Sequence, residues 1–194
     1  MIYLIRHGET SLNREKKFYG SLDVSLNETG INQSQQIAEK LKNVPFSTIY
    51  VSQLQRTLET AEIIRAKKKY CVVPEFNEKS FGLWEGLTAY QIEASYSKEW
   101  QAWLDAPLDR TPPKAEVFES FKQRVLEGIA KIEARLAGNP EADILIVGHL
   151  GVLRVLDHYF NGYLTDFWSS DYRQGMYTMY HYENNCYQLE GRNK

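Results

Sequence analysis

The feature that most constrains the fold is the N-terminal segment, where a short apolar run leads directly into reactive side chains. Residues 2–6 have the character of a buried strand, and the cluster Arg6-His7-Gly8-Glu9-Thr10 completes the segment. In an open α/β sheet, ligands bind at the carboxyl ends of the strands. A guanidinium beside an imidazole at such an end supplies an anion clamp next to a possible nucleophile. The segment therefore predicts a phosphate-handling site on a sheet of α/β type.

The rest of the chain alternates between predicted strands and helices. Further strands are expected at 48–51, 71–73, 144–147, 176–182 and 186–189, the last two joined by a turn at 183–185. Helices are expected from the N-cap Asn27 to just before Pro45, from Leu54 to Lys67 with Ser52 as cap, from Glu116 to Leu136, and from Gly151 to Tyr159. A loop is expected at 7–26, an irregular segment at 74–86, and short helices with a loop at 88–111. This order predicts a three-layer α/β/α fold with a mostly parallel central sheet and 144–147 at its centre.

Composition limits the class of protein. A chain of 194 residues with 43% apolar residues is long enough for one core, so we expect a single domain over 1–194 with a small helical or loop cap at about 88–115. The net charge of −2 argues against nucleic acid as a partner, and no apolar stretch has membrane-spanning length.

The N-terminus lacks the order of a secretory signal, because Met1 leads directly into a strand. We therefore expect a cytoplasmic protein in which Cys71 and Cys186 are reduced and mostly buried. A disulfide between these two cysteines is the less favoured alternative.

Three predicted strands end in polar residues that suit phosphate chemistry. The first delivers Arg6 and His7, the second is followed by Arg56, and 144–147 delivers His149. If the strands are parallel, all these residues lie at one edge of the sheet, near helix N-termini that attract anions. His158 and His181 lie elsewhere in the pattern, and we expect them to be structural.

These residues resemble the histidine phosphatase superfamily, also called the phosphoglycerate mutase-like fold. The opening segment Leu4 to Thr10 is similar to the first motif of that family. Other similar segments occur in the family's order: Asn13 with Gly20, Ser52-x-Leu54-x-Arg56-Thr57-x-x-Thr60-Ala61, Asn77-Glu78-x-x-x-Gly82-x-Trp84-Glu85-Gly86, and Val147-Gly148-His149. The resemblance spans the whole chain and implies phosphoryl transfer through a histidine.

The resemblance implies a role for each matching residue. His7 would be the nucleophile that becomes a phosphohistidine, and the cations beside it would favour its neutral, attacking form. Arg6, Arg56 and His149 would bind the oxygens of the transferring group, where charge gathers in the transition state.

Glu78 would be the general acid for the leaving oxygen and then the base for water, with Glu75 and Glu85 as nearby alternatives. Asn13 and the backbone of Gly20 would add hydrogen bonds to the phosphate. Leu150 stands where many relatives have glycine, and its backbone amide would still point at the phosphate.

The sequence thus predicts a metal-independent phosphomonoesterase that needs no cofactor, since no His, Cys or acidic grouping has metal-ligand spacing. Its partners would be a small-molecule phosphate ester and the product inorganic phosphate, with the oligomeric state left open.

The segment from Trp100-x-x-Trp103 to Phe121-x-x-Arg124 resembles the branch of small phosphatases and α-ribazole-phosphate phosphatases of cobalamin assembly. Before the long helix, only Glu116 matches the Gly-Gly-Glu-Ser of many relatives. The alternatives are a cofactor-dependent phosphoglycerate mutase and a non-catalytic phosphate-binding module.

Overall fold

The computed structural model describes residues 1–65, 70–139, 141–164, 166–184 and 186–194. Six strands form one sheet in the order β3-β2-β4-β1-β5-β6. Their bounds are β1 Ile2–Arg6, β2 Thr48–Val51, β3 Tyr70–Val72, β4 Ile144–Gly148, β5 Tyr177–Glu183 and β6 Cys186–Gly191. The first four strands of this order pair in parallel, and β5 and β6 are antiparallel to their neighbours. The mostly parallel sheet with 144–147 at its centre is confirmed.

Helices cover both faces of the sheet. The described α-helices are α1 Ser11–Arg14, α2 Glu28–Lys40, α3 Gln55–Ile64, α4 Ala89–Ser95, α5 Ser97–Asp105, α6 Phe118–Leu136 and α7 Leu150–Phe160. Short 3-10 turns lie at Pro74–Phe76, Gly82–Trp84 and Phe167–Ser169. This is the α/β architecture that the alternation of elements predicts.

The alternation of side chains along β4 shows why the fold has three layers. Ile144 and Ile146 belong to a core formed with α6 and α7, whereas Leu145 and Val147 belong to a core formed with α2 and α3. All four side chains are at most 1% exposed. A strand that is apolar on both faces is stable only when helices cover both, so β4 requires a helical layer on each side.

Several predicted boundaries are corrected by local contacts. The predicted loop at 7–26 contains α1, because Thr10 and Asn13 form a capping box. Ser52 does not cap α3: its hydroxyl accepts from the Leu54 amide, and the helix begins at Gln55 without a side-chain cap. Val117 precedes α6 and is 52% exposed, so this helix begins at Phe118, two residues after the predicted start at Glu116.

Other predicted elements are close to their expected positions. Asn27 caps α2 by accepting from the Gly30 amide. The 88–111 segment forms α4 and α5, as expected. Positions 66–67, the predicted end of the helix that starts at Leu54, lie outside the described residues, and so does position 185 of the predicted turn.

The 88–115 cap is attached to the first loop by aromatic packing. Phe18 packs edge-on against Trp84, Trp100 and Trp103, with ring centroids 5.7–6.2 Å apart. Backbone bonds join the same parts, because the Phe18 amide donates to the Leu87 carbonyl at 2.8 Å. Such a cluster stabilises the cap by burying large rings. It places Trp103, on α5, in the wall of a cavity that lies beside Arg6 and His7.

Both cysteines are free thiols, so the alternative disulfide does not form. The expectation that both are mostly buried is wrong, since Cys186 is exposed on the edge strand β6 and Cys71 is only half-buried. Among the described residues, none of the helices combines the length and the apolar character needed to span a bilayer.

Candidate active site

The parallel pairing of the central strands brings the predicted residues together at one edge of the sheet. Arg6 lies opposite Gly148 in the β1–β4 register, and the His7 amide donates to the Gly148 carbonyl at 3.0 Å. The rings of His7 and His149 consequently lie with their centroids 5.2 Å apart. The end of β2 joins them, because Ser52 Oγ lies 2.8 Å from His149 Nε2.

His7 is held in the form that a nucleophile requires. Its Nδ1 lies 2.7 Å from the Gly8 carbonyl, and a carbonyl only accepts, so Nδ1 carries the proton and Nε2 keeps its lone pair. Burial, and then the charges of Arg56 and Arg6, hold the pKa of His7 well below its ordinary value. The side chain is therefore a neutral imidazole at neutral pH, and it lines the cavity.

The backbone around His7 is fixed by a second motif. The Gly8 amide donates to Thr60 Oγ1 at 3.1 Å, and the same hydroxyl donates to the Arg56 carbonyl at 2.7 Å. Thr60 thereby ties the loop after β1 to helix α3. This contact explains why a threonine four residues after Arg56 belongs to the site's sequence pattern.

Arg56 and Arg6 present cations to the same cavity. Arg56 donates from Nη2 to the Gly20 carbonyl at 2.8 Å and from Nη1 to the Leu22 carbonyl at 2.9 Å, and its guanidinium stacks over the Tyr19 ring. The buried Nε of Arg6 finds no hydrogen-bond partner among the described residues. Since an unpaired buried donor is costly, Arg6 is suited to an anion that enters the cavity.

The structure places the fully buried His149 against Arg56, and His149 is not among the side chains that line the cavity. Arg56 Nε donates to His149 Nδ1 at 3.2 Å, so Nε2 carries the proton and faces Ser52. Burial, followed by the charge of Arg56, holds the pKa of His149 well below its ordinary value. In this arrangement His149 orients the Arg56 guanidinium, whereas the sequence predicts a direct phosphate contact.

Of the three candidate acids, Glu78 alone lines the cavity. The Gly151 amide donates to its Oε2 and the Lys79 amide to its Oε1, both at 2.9 Å. Glu75 instead forms an ion pair with Lys131 on α6. Glu85 accepts from the backbone and hydroxyl of Ser21 and from two further amides, so it organises the loops beside the cavity.

The other predicted binding residues differ in what they contribute. Asn13 lines the cavity, and its Oδ1 is taken by Tyr19 and Gln174, which leaves the amide nitrogen to face a ligand. Gly20 does not line the cavity: a Cβ there would lie 1.7 Å from the Lys79 carbonyl, so it permits close loop packing. Leu150 lines the cavity in the first turn of α7, where amides have no intrahelical partner.

The cavity has a volume of about 410 Å³. It combines a polar base, formed by Arg6, His7, Arg56 and Glu78, with an aromatic wall. Its apolar side chains include Phe18, Phe81, Trp103, Phe118, Phe121, Phe167 and Trp168, and its further cations are Lys16, Lys17, Lys79 and Arg154. The sequence patterns do not single out Tyr19, Arg154 or Trp168. Arg154 has a usable signal, because it follows Leu150 by one helical turn and so shares its face. Trp168 reaches the cavity only through tertiary packing.

The described residues contain no group of three or more histidine, cysteine, aspartate or glutamate side chains that could hold a metal ion. The donors at the cavity base are instead the two arginines and the neutral imidazole of His7, which suit an anionic ligand.

Known proteins of one family are similar to this chain in sequence and in fold. The model of the histidine phosphatase superfamily (branch 1) matches residues 2–194. The adenosylcobalamin/alpha-ribazole phosphatase of Escherichia coli is 32% identical over 157 residues, which cover 80% of this chain and 76% of that protein.

Two solved structures extend the comparison. The alpha-ribazole phosphatase of Shigella flexneri superposes with a TM-score of 0.91 at 29% identity, covering 100% of this chain and 96% of that one. The phosphoglycerate mutase of Bacillus anthracis has a TM-score of 0.84 at 24% identity, covering 97% and 90%, and this likeness shows the fold alone. The chain therefore belongs to the histidine phosphatase superfamily, and the predicted enzyme class, a phosphatase with a phosphoglycerate mutase-like fold, is confirmed.

Proposed function

We propose that this protein is a single-domain, metal-independent phosphomonoesterase that works through a phosphohistidine on His7. One observation carries the proposal: a neutral, buried imidazole shares a cavity with two arginines, whose charges act on it, and with the Glu78 carboxyl. A nucleophile, an anion clamp and a proton donor are the three groups that hydrolysis of a phosphate ester requires.

The first step transfers the phosphoryl group to the enzyme. His7 Nε2 attacks phosphorus, the bond from phosphorus to the ester oxygen breaks, and Glu78 gives its proton to the departing oxygen. Arg6 and Arg56 balance the charge on the phosphoryl oxygens as the bonds exchange.

The second step returns the enzyme to its starting state. Water attacks the phosphohistidine, the bond from phosphorus to Nε2 breaks, and the Glu78 carboxylate takes a proton from the water. Inorganic phosphate leaves, His7 is again neutral and Glu78 again carries the proton. Two displacements at one histidine replace a single difficult attack by water.

We propose a small-molecule substrate whose leaving group has a flat, apolar part. The rings of Trp103, Phe118 and Trp168 on the cavity wall support this choice, since aromatic walls bind planar groups. α-Ribazole phosphate has such a leaving group, and the names of the similar proteins support it as the first ester to test. Neither nucleic acid nor a membrane is a proposed partner, and the reduced cysteines suit a cytoplasmic location.

A second candidate is phosphoryl transfer of the mutase type. Arg154 and Lys79 on the cavity wall favour it, because a phosphoglycerate carries a carboxylate that needs a cation. Exchange between 2- and 3-phosphoglycerate with a bisphosphoglycerate primer tests this activity. A non-catalytic phosphate-binding module is the remaining alternative.

The test is release of inorganic phosphate from a panel of phosphomonoesters in the presence of a chelator. The panel contains α-ribazole phosphate, phosphoserine, sugar phosphates, nucleotides and 3-phosphoglycerate. We expect hydrolysis that the chelator leaves intact and that His7→Ala abolishes. His158→Ala is the matched control, because His158 lies on α7 outside the cavity and should leave the rate unchanged. Lack of release from every ester by folded wild-type protein would refute the phosphatase proposal.

A further inference from the structure

Arg124, on α6 and outside the cavity, makes an unusual set of contacts with the segment that carries Glu78. Its Nη1 donates to the Glu75 carbonyl at 2.8 Å and to the Asn77 carbonyl at 2.6 Å, and its Nη2 donates to the Glu78 carbonyl at 3.2 Å. One guanidinium thus binds three backbone carbonyls within four residues. We infer that Arg124, oriented by Glu116, is a positioning residue that fixes how far the Glu78 carboxyl reaches into the cavity.

Glu116 fixes the orientation of this guanidinium. Arg124 Nε and Nη2 donate to the two oxygens of the Glu116 carboxylate at 2.7 and 2.8 Å, which is a bidentate pair. The same guanidinium lies over the Phe121 ring, 4.9 Å from its centroid. Glu116 is itself tied to the far end of the segment, because its amide donates to the Ser80 carbonyl at 3.2 Å. The pair therefore holds the Glu78 segment from both sides.

Glu78 depends on this support because the carboxyl is held mainly through backbone groups. Its carboxyl accepts from the Lys79 and Gly151 amides, so its position follows the position of the backbone. That backbone is a loop between two 3-10 turns, and none of the described strands pairs with it. The segment is also tied by the hydrogen bonds between Asn77 and Gln53 and by the ion pair of Glu75 with Lys131. A displacement of about 1 Å at a catalytic group costs up to about 100-fold in rate.

This inference rests on the proposed role of Glu78 as proton donor, and a pair of esters tests it. p-Nitrophenol leaves readily as an anion, whereas p-nitrobenzyl alcohol needs a proton as its bond to phosphorus breaks. The measurement is the single-turnover rate of alcohol or phenol release with enzyme in excess. We expect Arg124→Met to lower the rate on p-nitrobenzyl phosphate about 10- to 100-fold and on p-nitrophenyl phosphate less than about threefold.

Two further variants make the test specific. Glu116→Gln keeps the shape of the pair and weakens it, so we expect a smaller loss with the same preference between esters, even where Arg124→Met folds poorly. Lys131→Met is the matched control: it removes an exposed ion pair between the same helix and Glu75, and should change neither rate.

The outcomes separate this inference from the proposal on which it rests. If Glu78→Gln shows the leaving-group preference and neither Arg124→Met nor Glu116→Gln does, the positioning role is refuted while the acid assignment stands. If Glu78→Gln loses equally on both esters, the acid assignment fails and the inference fails with it. Equal losses on both esters in the Arg124 and Glu116 variants would show that the pair supports the fold only.

Discussion

A methyl group added at Gly151 should displace the Glu78 carboxyl without disturbing the fold. In the structure, an alanine Cβ at this position would lie 2.5 Å from Glu78 Oε1 and 3.2 Å from its carboxyl carbon. Ordinary contact begins at 3.4 Å, so the nearer oxygen must move by about 0.9 Å. The carboxyl is the free end of a flexible side chain, and it can therefore move away at little cost in stability.

The expected effect separates activity from stability. A shift of this size at the proton donor should lower kcat/KM for an alkyl phosphate about 10- to 100-fold. The free energy of unfolding should stay constant or rise by up to about 1 kcal/mol, because alanine is the better helix former and Gly151 lies in α7. A steric effect on folding would instead lower both quantities together.

The assay combines steady-state hydrolysis with urea unfolding of wild type, Gly151→Ala and a control. Gly148→Ala is the control from the same motif, since the nearest atoms to a Cβ there belong to Leu153 and Val152, at 3.5 Å or more. We expect this control to keep its activity within about threefold. Full activity in Gly151→Ala would show that the observed position of the Glu78 carboxyl does not matter for the reaction.

Three more predictions follow from other contacts. Asp157→Ala removes a buried carboxylate that accepts from Ser170, Tyr172, Tyr180 and Arg192. It should lower the free energy of unfolding in urea by about 3 kcal/mol. The control Asp171→Ala removes an exposed ion pair and should cost about 0.5 kcal/mol, and a loss no larger than this in Asp157→Ala would contradict the prediction. Because burial and the neighbouring arginines lower the pKa of His7 when folded, the unfolded chain binds the extra proton below about pH 6.5, so stability falls as pH drops there. His7→Asn should reduce that fall by up to about 1.4 kcal/mol per pH unit, and an unchanged pH dependence would argue against a neutral, buried His7. Trp103→Ala should raise KM for an aromatic ester about tenfold and leave KM for a small alkyl phosphate nearly constant, whereas equal changes for both would argue against the aromatic wall as a binding surface.

Much of the fold and the edge that carries the site could be predicted from local sequence. Apolar runs such as 144–147 identify buried strands, and parallel pairing of β1 with β4 then places His7 and His149 side by side. The sequence pattern alone does not predict how deeply a side chain at this edge is buried. The sequence places His149 at the correct edge, but only tertiary packing shows that its ring is fully buried and hydrogen-bonded to Arg56.

Other features escaped prediction because long-range contacts decide them. Trp168 reaches the cavity through the packing of the segment after α7 against Arg154, which no sequence period encodes. The short helix α1 is too brief for an apolar stripe, and its only signal is the spacing of Thr10 and Asn13. The usual preference of cysteine for burial predicts a buried Cys186. The strand that carries it, β6, lies at the edge of the sheet, and the side chain is exposed.

The most direct test of the account is to trap the phosphorylated enzyme. Protein mixed with a fast ester is quenched in base within one turnover, digested and sequenced by mass spectrometry. The account predicts one phosphoryl group on His7 that is stable in base and lost in acid, and that disappears in His7→Ala. Phosphate released by folded enzyme with no phosphohistidine at any time point, or with the phosphoryl group on another residue, would contradict it.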